Sequence, residues 1–147
     1  MAQYAYERKY KLVVITNQAG IARKYTEELF HQLTDWMCQQ FSAAGAPINR
    51  VYFSPYHPTE GGGQYRKDDS SRKLHPRMIL QAQKELAIDL SRSIHIGDKV
   101  SDIQAGNAAG VGANLLLAPY CPTELNGLSY QRISKLREAK KHLGQGV

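Results

Sequence analysis

Short apolar runs alternate with segments of helical periodicity along this 147-residue chain. The run over residues 11–16 is continuously apolar in its centre, which is typical of a strand buried on both faces. Strands that alternate with helices predict an α/β fold, with a three-layer parallel sheet and right-handed crossovers. The other predicted strands lie at 51–53, 94–96 and 113–117.

Helical spacing predicts the first long helix after residue 26. Thr26 is suited to cap it, and Glu27 and Glu28 in the first turn are favoured by the helix dipole. Gly45 is expected to end the helix. One apolar stripe is predicted to face the core, formed by Leu29, Leu33, Trp36, Met37 and Phe41.

Three further helices follow. Pro76 suits the first turn of a helix to about Leu86, and Gly110 ends a helix over 100–109. Ser134 is predicted to cap a final helix to about residue 143. Ile79, Ala82 and Leu86 are predicted to face inward.

Composition limits the class of protein. With 42% hydrophobic and 22% charged residues, residues 1–147 are expected to form one globular domain. No apolar run is long enough to span a membrane and no signal peptide is evident, so a cytoplasmic location is predicted. The net charge of +6 is scattered, which favours a small anionic substrate over nucleic acid or a membrane. The two cysteines, Cys38 and Cys121, are expected to be unpaired.

Polar residues follow the predicted strands at Thr16, Ser54 and Asp98. Ligands of parallel α/β sheets bind at these carboxyl ends. The Thr16 hydroxyl and the backbone N–H groups of Asn17 and Gln18 can hold a phosphoryl group, although an ordinary polar turn explains the same residues.

Asp98 and Asp102 form the stronger candidate. Gly97 lets the chain turn out of the strand, and both carboxylates can then face one Mg²⁺ site, with Lys99 beside them. The alternative is that Asp98 caps the helix and Asp102 faces solvent. Arg72 and Lys73 are a second candidate, for which a surface basic pair is an equal explanation.

Together these motifs resemble the haloacid dehalogenase superfamily. The similarity extends over about residues 10–120 and is greatest to heptose bisphosphate phosphatases and histidinol-phosphate phosphatases. It rests on the segments Ile15–Arg23, Tyr52–Pro58, Arg72–Pro76 and Ile96–Val111.

The resemblance implies hydrolysis of a sugar phosphate through an aspartyl-phosphate intermediate. Thr16 and Asn17 would contact the phosphoryl oxygens, and Lys73 would neutralise charge. Asp98 would bind Mg²⁺ with support from Asp102. Substrate contacts would come from Gln18, Arg72 and Lys99.

Two departures from the family change the expectation. No Asp-x-Asp nucleophile motif follows any strand, so the chain is expected to lack the first βα unit of the fold and to be inactive alone. A phosphate-binding or interaction domain is the alternative. The zinc site of the family is expected to be lost, because its positions hold Ser54, Tyr56, Asp69 and Ser71. His57 and His75 are a poor tetrahedral set.

The resemblance also predicts that the absent strand belongs at the centre of the sheet, between the strands after Tyr10 and Ser93. The chain is then expected to pair those strands directly, to borrow a strand by self-association, or to fail to fold alone.

Overall fold

The computed structural model describes residues 1–17, 26–54, 75–117, 125 and 127–144. All four predicted strands and the helices before residue 110 are confirmed to within one or two residues. A short fifth strand and an N-terminal helical turn add to them. The elements are α1 (Ala2–Glu7), β1 (Val13–Asn17), α2 (Glu27–Ala43), β2 (Arg50–Ser54), α3 (Arg77–Leu86), the 3₁₀ turn η1 (Leu90–Arg92), β3 (Ile94–Gly97), α4 (Val100–Ala109), β4 (Ala113–Leu117), β5 (Gln131–Ile133) and the 3₁₀ helix η2 (Leu136–His142).

The described strands form two parallel sheets. In the first, β1 pairs with β2, and Val14 lies opposite Val51. In the second, β4 lies between β3 and β5, and Ile96 lies opposite Leu115. Within the described part of the chain β1 does not pair with β3, so the direct pairing considered from the sequence is not adopted.

One face of the sheets is covered by α3 and α4. Met78 and Ala82 of α3 pack with Tyr52 of β2, while Ile79 packs with Ala105 of α4. The Tyr52 hydroxyl donates a hydrogen bond to Glu85. Burial first, and then this bond, raises the pKa of Tyr52, whereas the same bond lowers the pKa of Glu85.

The opposite face is covered by α2, η2 and the start of α1. The ring of Phe30 in α2 lies 4.7 Å from the ring of Phe53 in β2. Ala139 of η2 packs with Leu115, and Met1 packs against the same cluster. Helical layers on both sides of parallel sheets confirm the predicted three-layer α/β class.

The ends of α2 and α4 follow the sequence signals. Thr26 Oγ1 accepts a hydrogen bond from the Leu29 N–H at 3.1 Å, which confirms the predicted cap. Gly110 ends α4 with a φ of 83°, a conformation that glycine adopts without steric cost.

The inward stripe predicted for α2 is wrong in most of its members. Leu29, Leu33, Trp36 and Phe41 are exposed, and Trp36 keeps 62% of its surface open to solvent. Met37 is half-buried, and Phe30, one position away from the stripe, is the buried residue of the helix.

The final helix also differs from the prediction. It is a 3₁₀ helix that starts at Leu136, and Ser134 does not cap it with its side chain. Glu138 instead accepts hydrogen bonds from the N–H groups of Ser134 and Lys135, which lower its pKa. No helix in the described ranges has the length and apolar content to cross a bilayer.

Candidate functional site

The first corner of the candidate site is the carboxyl end of β1. Thr16 and Asn17 are half-buried there, and the register with β2 sets them opposite Phe53 and Ser54. Ser54 is fully buried. The Thr16 hydroxyl lies 3.4 Å from the Asn17 carbonyl oxygen, at the long limit of a hydrogen bond. The predicted hydroxyl and backbone groups therefore do lie at a strand end.

The second corner is the turn from β3 into α4. Asp98 follows the strand directly and is exposed, whereas Asp102 is only 2% exposed. Asp102 Oδ2 accepts a hydrogen bond from the Lys99 N–H at 3.1 Å. The sequence also allowed a purely structural explanation, in which Asp98 caps the helix and Asp102 faces solvent. That explanation is wrong on both points, because Asp98 does not cap α4 and Asp102 does not face solvent. Asp102 instead satisfies a backbone donor at the helix start.

Gly97 is required by this packing. A β-carbon at Gly97 would collide with the side chain of Asp102. The glycine therefore lets α4 start against the end of β3, which fixes where the turn presents Asp98.

Both corners follow strands that begin near the C-terminal end of α3 in the chain or in space. The Lys11 ammonium, just before β1, donates to the carbonyl of Leu86, the last residue of α3. The strand β3 starts from that same end of α3, after residues 87–93. Thr16 and Asp98 each lie at the carboxyl end of a parallel strand, which is the end where ligands of such folds bind.

The fit of Mg²⁺ to this edge depends on Asp98. Its carboxylate is open, whereas one oxygen of Asp102 already accepts the Lys99 N–H. The described ranges contain no cluster of three or more His, Cys, Asp or Glu side chains suited to a metal. Mg²⁺ commonly keeps several waters and takes one or two protein carboxylates. The residues thus fit a water-rich Mg²⁺ site at Asp98, with Asp102 placed behind it.

Several predicted residues lie outside the described ranges: Gln18, Arg72, Lys73, Tyr56, His57, Asp69 and Ser71. Their roles stay predictions. Cys121 lies outside as well, while Cys38 carries a free thiol. His75 is described and half-buried, immediately before α3.

The structure also shows a buried polar layer that the sequence reasoning missed. His95 of β3 lies opposite Asn114 of β4, and Asn114 is 5% exposed. A β-carbon at Gly106 of α4 would collide with the Asn114 side chain. The sequence signal that could have revealed this layer is a polar residue, His95 or Asn114, inside each of two apolar runs. This layer positions α4, and with it the turn that carries Asp98.

Comparison with known proteins agrees with this architecture. A family model described as HAD-hydrolase-like matches residues 70–118, which include the Asp98 turn. A HAD-like protein from Mesorhizobium loti superposes with a TM-score of 0.82 at 30% identity, covering 95% of this chain and 66% of that one. The chain belongs to the haloacid dehalogenase superfamily.

Within that superfamily, the curated relatives are heptose 1,7-bisphosphate 7-phosphatases. The protein of Burkholderia mallei is 51% identical over 109 residues, which cover 74% of this chain and 58% of the relative. The protein of Vibrio cholerae is 44% identical over 109 residues, covering 74% and 59%. The chain thus spans less than two thirds of the length of these relatives.

The fold of that group is present as well. The D,D-heptose 1,7-bisphosphate phosphatase of B. bronchiseptica, solved with magnesium and phosphate, superposes with a TM-score of 0.71 at 22% identity. The superposition covers 95% of this chain and 79% of that one.

Proposed function

We propose that this chain carries the phosphate and Mg²⁺ corners of a sugar-phosphate phosphatase related to the heptose 1,7-bisphosphate enzymes. The observation that supports the proposal is that Thr16–Asn17 and Asp98 each stand at the carboxyl end of a parallel strand, the ligand-binding end of such folds. The 51% identity to a heptose bisphosphatase supports the substrate class.

Each residue then has a definite task. Thr16 and the N–H of Asn17 bind phosphoryl oxygens, Asp98 holds Mg²⁺, and Asp102 keeps the Asp98 turn in place. Gln18, Arg72, Lys73 and Lys99 complete the contacts to substrate. Bound Mg²⁺ supplies positive charge that stabilises the phosphoryl oxygens. Zinc has no role, because Ser54 and its partner positions offer no thiolate.

We further propose that the chain alone does not turn over substrate. Hydrolysis through a phosphoenzyme needs an attacking carboxylate in line with the phosphorus. The only carboxylate that directly follows a described strand is Asp98, which is assigned to Mg²⁺. The chain is therefore expected to bind the sugar phosphate without hydrolysing it. A non-catalytic phosphate-binding domain, the alternative function, would behave in the same way. The partner that we propose for the free chain is a second copy of itself.

The test measures binding and turnover separately. Calorimetry with a heptose 1,7-bisphosphate and Mg²⁺ is expected to show binding that Asp98→Asn weakens. A phosphate-release assay on the same samples is expected to stay at background. Steady release that disappears in Asp98→Asn would refute inactivity, and absence of any binding would refute the proposed site.

The control variant is Glu28→Gln. It removes one exposed carboxylate from the first turn of α2, far along the chain from Asp98. It is expected to bind substrate and Mg²⁺ as the unmodified chain does. Equal weakening by Glu28→Gln would show that net charge, and not the Asp98 turn, governs binding.

A further inference from the structure

Exposed apolar side chains are concentrated on one face of the described structure. Only two of the large exposed ones, Leu80 and Val100, lie on the face formed by α3 and α4. On α2, three of them recur at helical spacing and are neighbours on the helix surface. An exposed apolar patch of this kind marks an interaction surface more often than scattered single residues do. The residues on the side of α1, α2 and η2 are Tyr6, Leu29, Leu33, Trp36, Phe41 and Leu136.

The three elements that carry this patch contact one another. A β-carbon at Gly45, two residues after α2, would lie 3.4 Å from the Gln3 side-chain nitrogen of α1. The Lys140 ammonium of η2 lies 4.9 Å from the centre of the Tyr4 ring, which also belongs to α1. Because α1 contacts both other elements, we treat the three as one surface and call it the α1–α2–η2 face.

The two larger elements of this face carry opposite charge. The helix α2 contains neither lysine nor arginine, and its three carboxylates are the exposed side chains of Glu27, Glu28 and Asp35. Residues 135–142 have the reverse balance, with one carboxylate, Glu138, which accepts backbone N–H groups. Their four exposed cations are Lys135, Arg137, Lys140 and Lys141. An acidic and a basic surface, each with exposed apolar side chains, are therefore present on the same face.

We propose that the α1–α2–η2 face joins two copies of this chain, with the acidic and apolar α2 of one copy on the basic η2 of the other. A two-fold axis makes this contact twice, because each copy carries both elements. Pairing α2 with α2, or η2 with η2, would instead bring like charges together. The inference rests on the second copy proposed above as the partner and names the surface that this copy covers.

The face is large enough for such a contact. Stable interfaces use roughly 20–30 residues on each partner. The helix α2 has 17 residues, η2 has seven and α1 has six, and most of them are exposed. Much of this surface is polar, so the dissociation constant is expected at roughly 10–100 µM. Well below that concentration the chain is a monomer and Trp36 is exposed.

The first test measures association as a function of protein concentration. Sedimentation velocity is expected to show a monomer that converts to a dimer, and the emission of Trp36, the sole tryptophan, is expected to shift to shorter wavelength as the dimer forms. Trp36→Ser is expected to raise the dissociation constant about tenfold. The matched control is Leu80→Ser, which removes an exposed side chain of α3 and is expected to leave the dissociation constant unchanged.

A charge exchange tests which elements meet. Asp35→Lys and Arg137→Glu are each expected to weaken self-association, and higher salt is expected to weaken that of the unmodified chain. A mixture of the two variants is expected to associate as the unmodified chain does, because one of its two contacts is unchanged and the other has both charges reversed.

Four results would each overturn the proposal: a monomer at every concentration, equal effects of Trp36→Ser and Leu80→Ser, no recovery in the mixture, or stronger association of Asp35→Lys, which would indicate pairing of α2 with α2. Calorimetry with the heptose bisphosphate and Mg²⁺ is expected to give the same binding for Trp36→Ser as for the unmodified chain. Failure of the dimer and failure of the proposed phosphate site are therefore separate results.

Discussion

At the residue scale, Asp98 and Asp102 differ in exposure and in hydrogen bonding although they lie within one turn of chain. The exposed carboxylate is open to a metal or solvent, whereas the buried one binds the backbone of Lys99. A buried carboxylate is tolerated when it accepts such bonds. The two residues therefore contribute to different properties, one to binding and the other to the geometry of the turn.

Replacing Asp102 with alanine is expected to destabilise the chain by about 1–2 kcal/mol, because the Lys99 N–H loses its acceptor at the start of α4. The matched change is Asp98→Ala, which removes an exposed carboxylate and is expected to shift the free energy of unfolding by less than about 0.5 kcal/mol. Urea unfolding of both variants measures the difference. Equal losses would contradict the separate roles of the two carboxylates.

At the element scale, α2 shows how periodicity can be right while the choice of buried face is wrong. Leu29, Leu33 and Trp36 recur at helical spacing, yet all three are exposed in the described structure. The helix is held to the sheet by Phe30, whose ring contacts Phe53 and His31. The buried surface of α2 is thus narrow and offset from the stripe.

The contribution of this helix to stability is therefore expected to depend on Phe30. Phe30→Ala is expected to cost about 3–5 kcal/mol, as for other buried aromatic residues. Trp36→Ser, on the exposed side, is expected to change the free energy of unfolding by less than about 0.5 kcal/mol. Thermal unfolding monitored by circular dichroism serves both variants, because Trp36 is the sole tryptophan and its loss removes the fluorescence signal. A larger loss for Trp36→Ser would show that the stripe is buried in solution.

At the scale of the whole molecule, the described strands form two parallel sheets, and one hydrophobic cluster joins the first sheet to helices α3 and α4. Ile15 connects the first sheet to the helices that cover the second. Among the described strands, only β4 has a strand neighbour on each side. The stability of the two sheets is therefore expected to be uneven.

Hydrogen exchange of the chain alone is expected to show this unevenness. In β4, amides on both sides of the strand bond to neighbours and should exchange slowly. β1 and β3 each have one strand neighbour among the described strands and should exchange faster than β4. Equal exchange in all three strands would contradict this difference. Mass spectrometry with fragmentation can resolve residues 13–17, 94–97 and 113–117 separately.

The sequence by itself determined the class of fold and the positions of most elements. Apolar runs such as residues 11–16 and glycine at position 110 are local signals, and local signals fix strands and helix ends. The order of motifs around Thr16 and Asp98 also identified the superfamily, which the comparison with known proteins confirmed. Magnesium at Asp98, the loss of zinc and the cytoplasmic location stay predictions.

Only the tertiary structure decided which apolar residues are buried and how the strands pair. The exposure of Trp36, the burial of Asp102 and the strand β5 depend on contacts between residues far apart in the chain. Periodicity reports what a segment can bury, and the surrounding elements determine what it does bury.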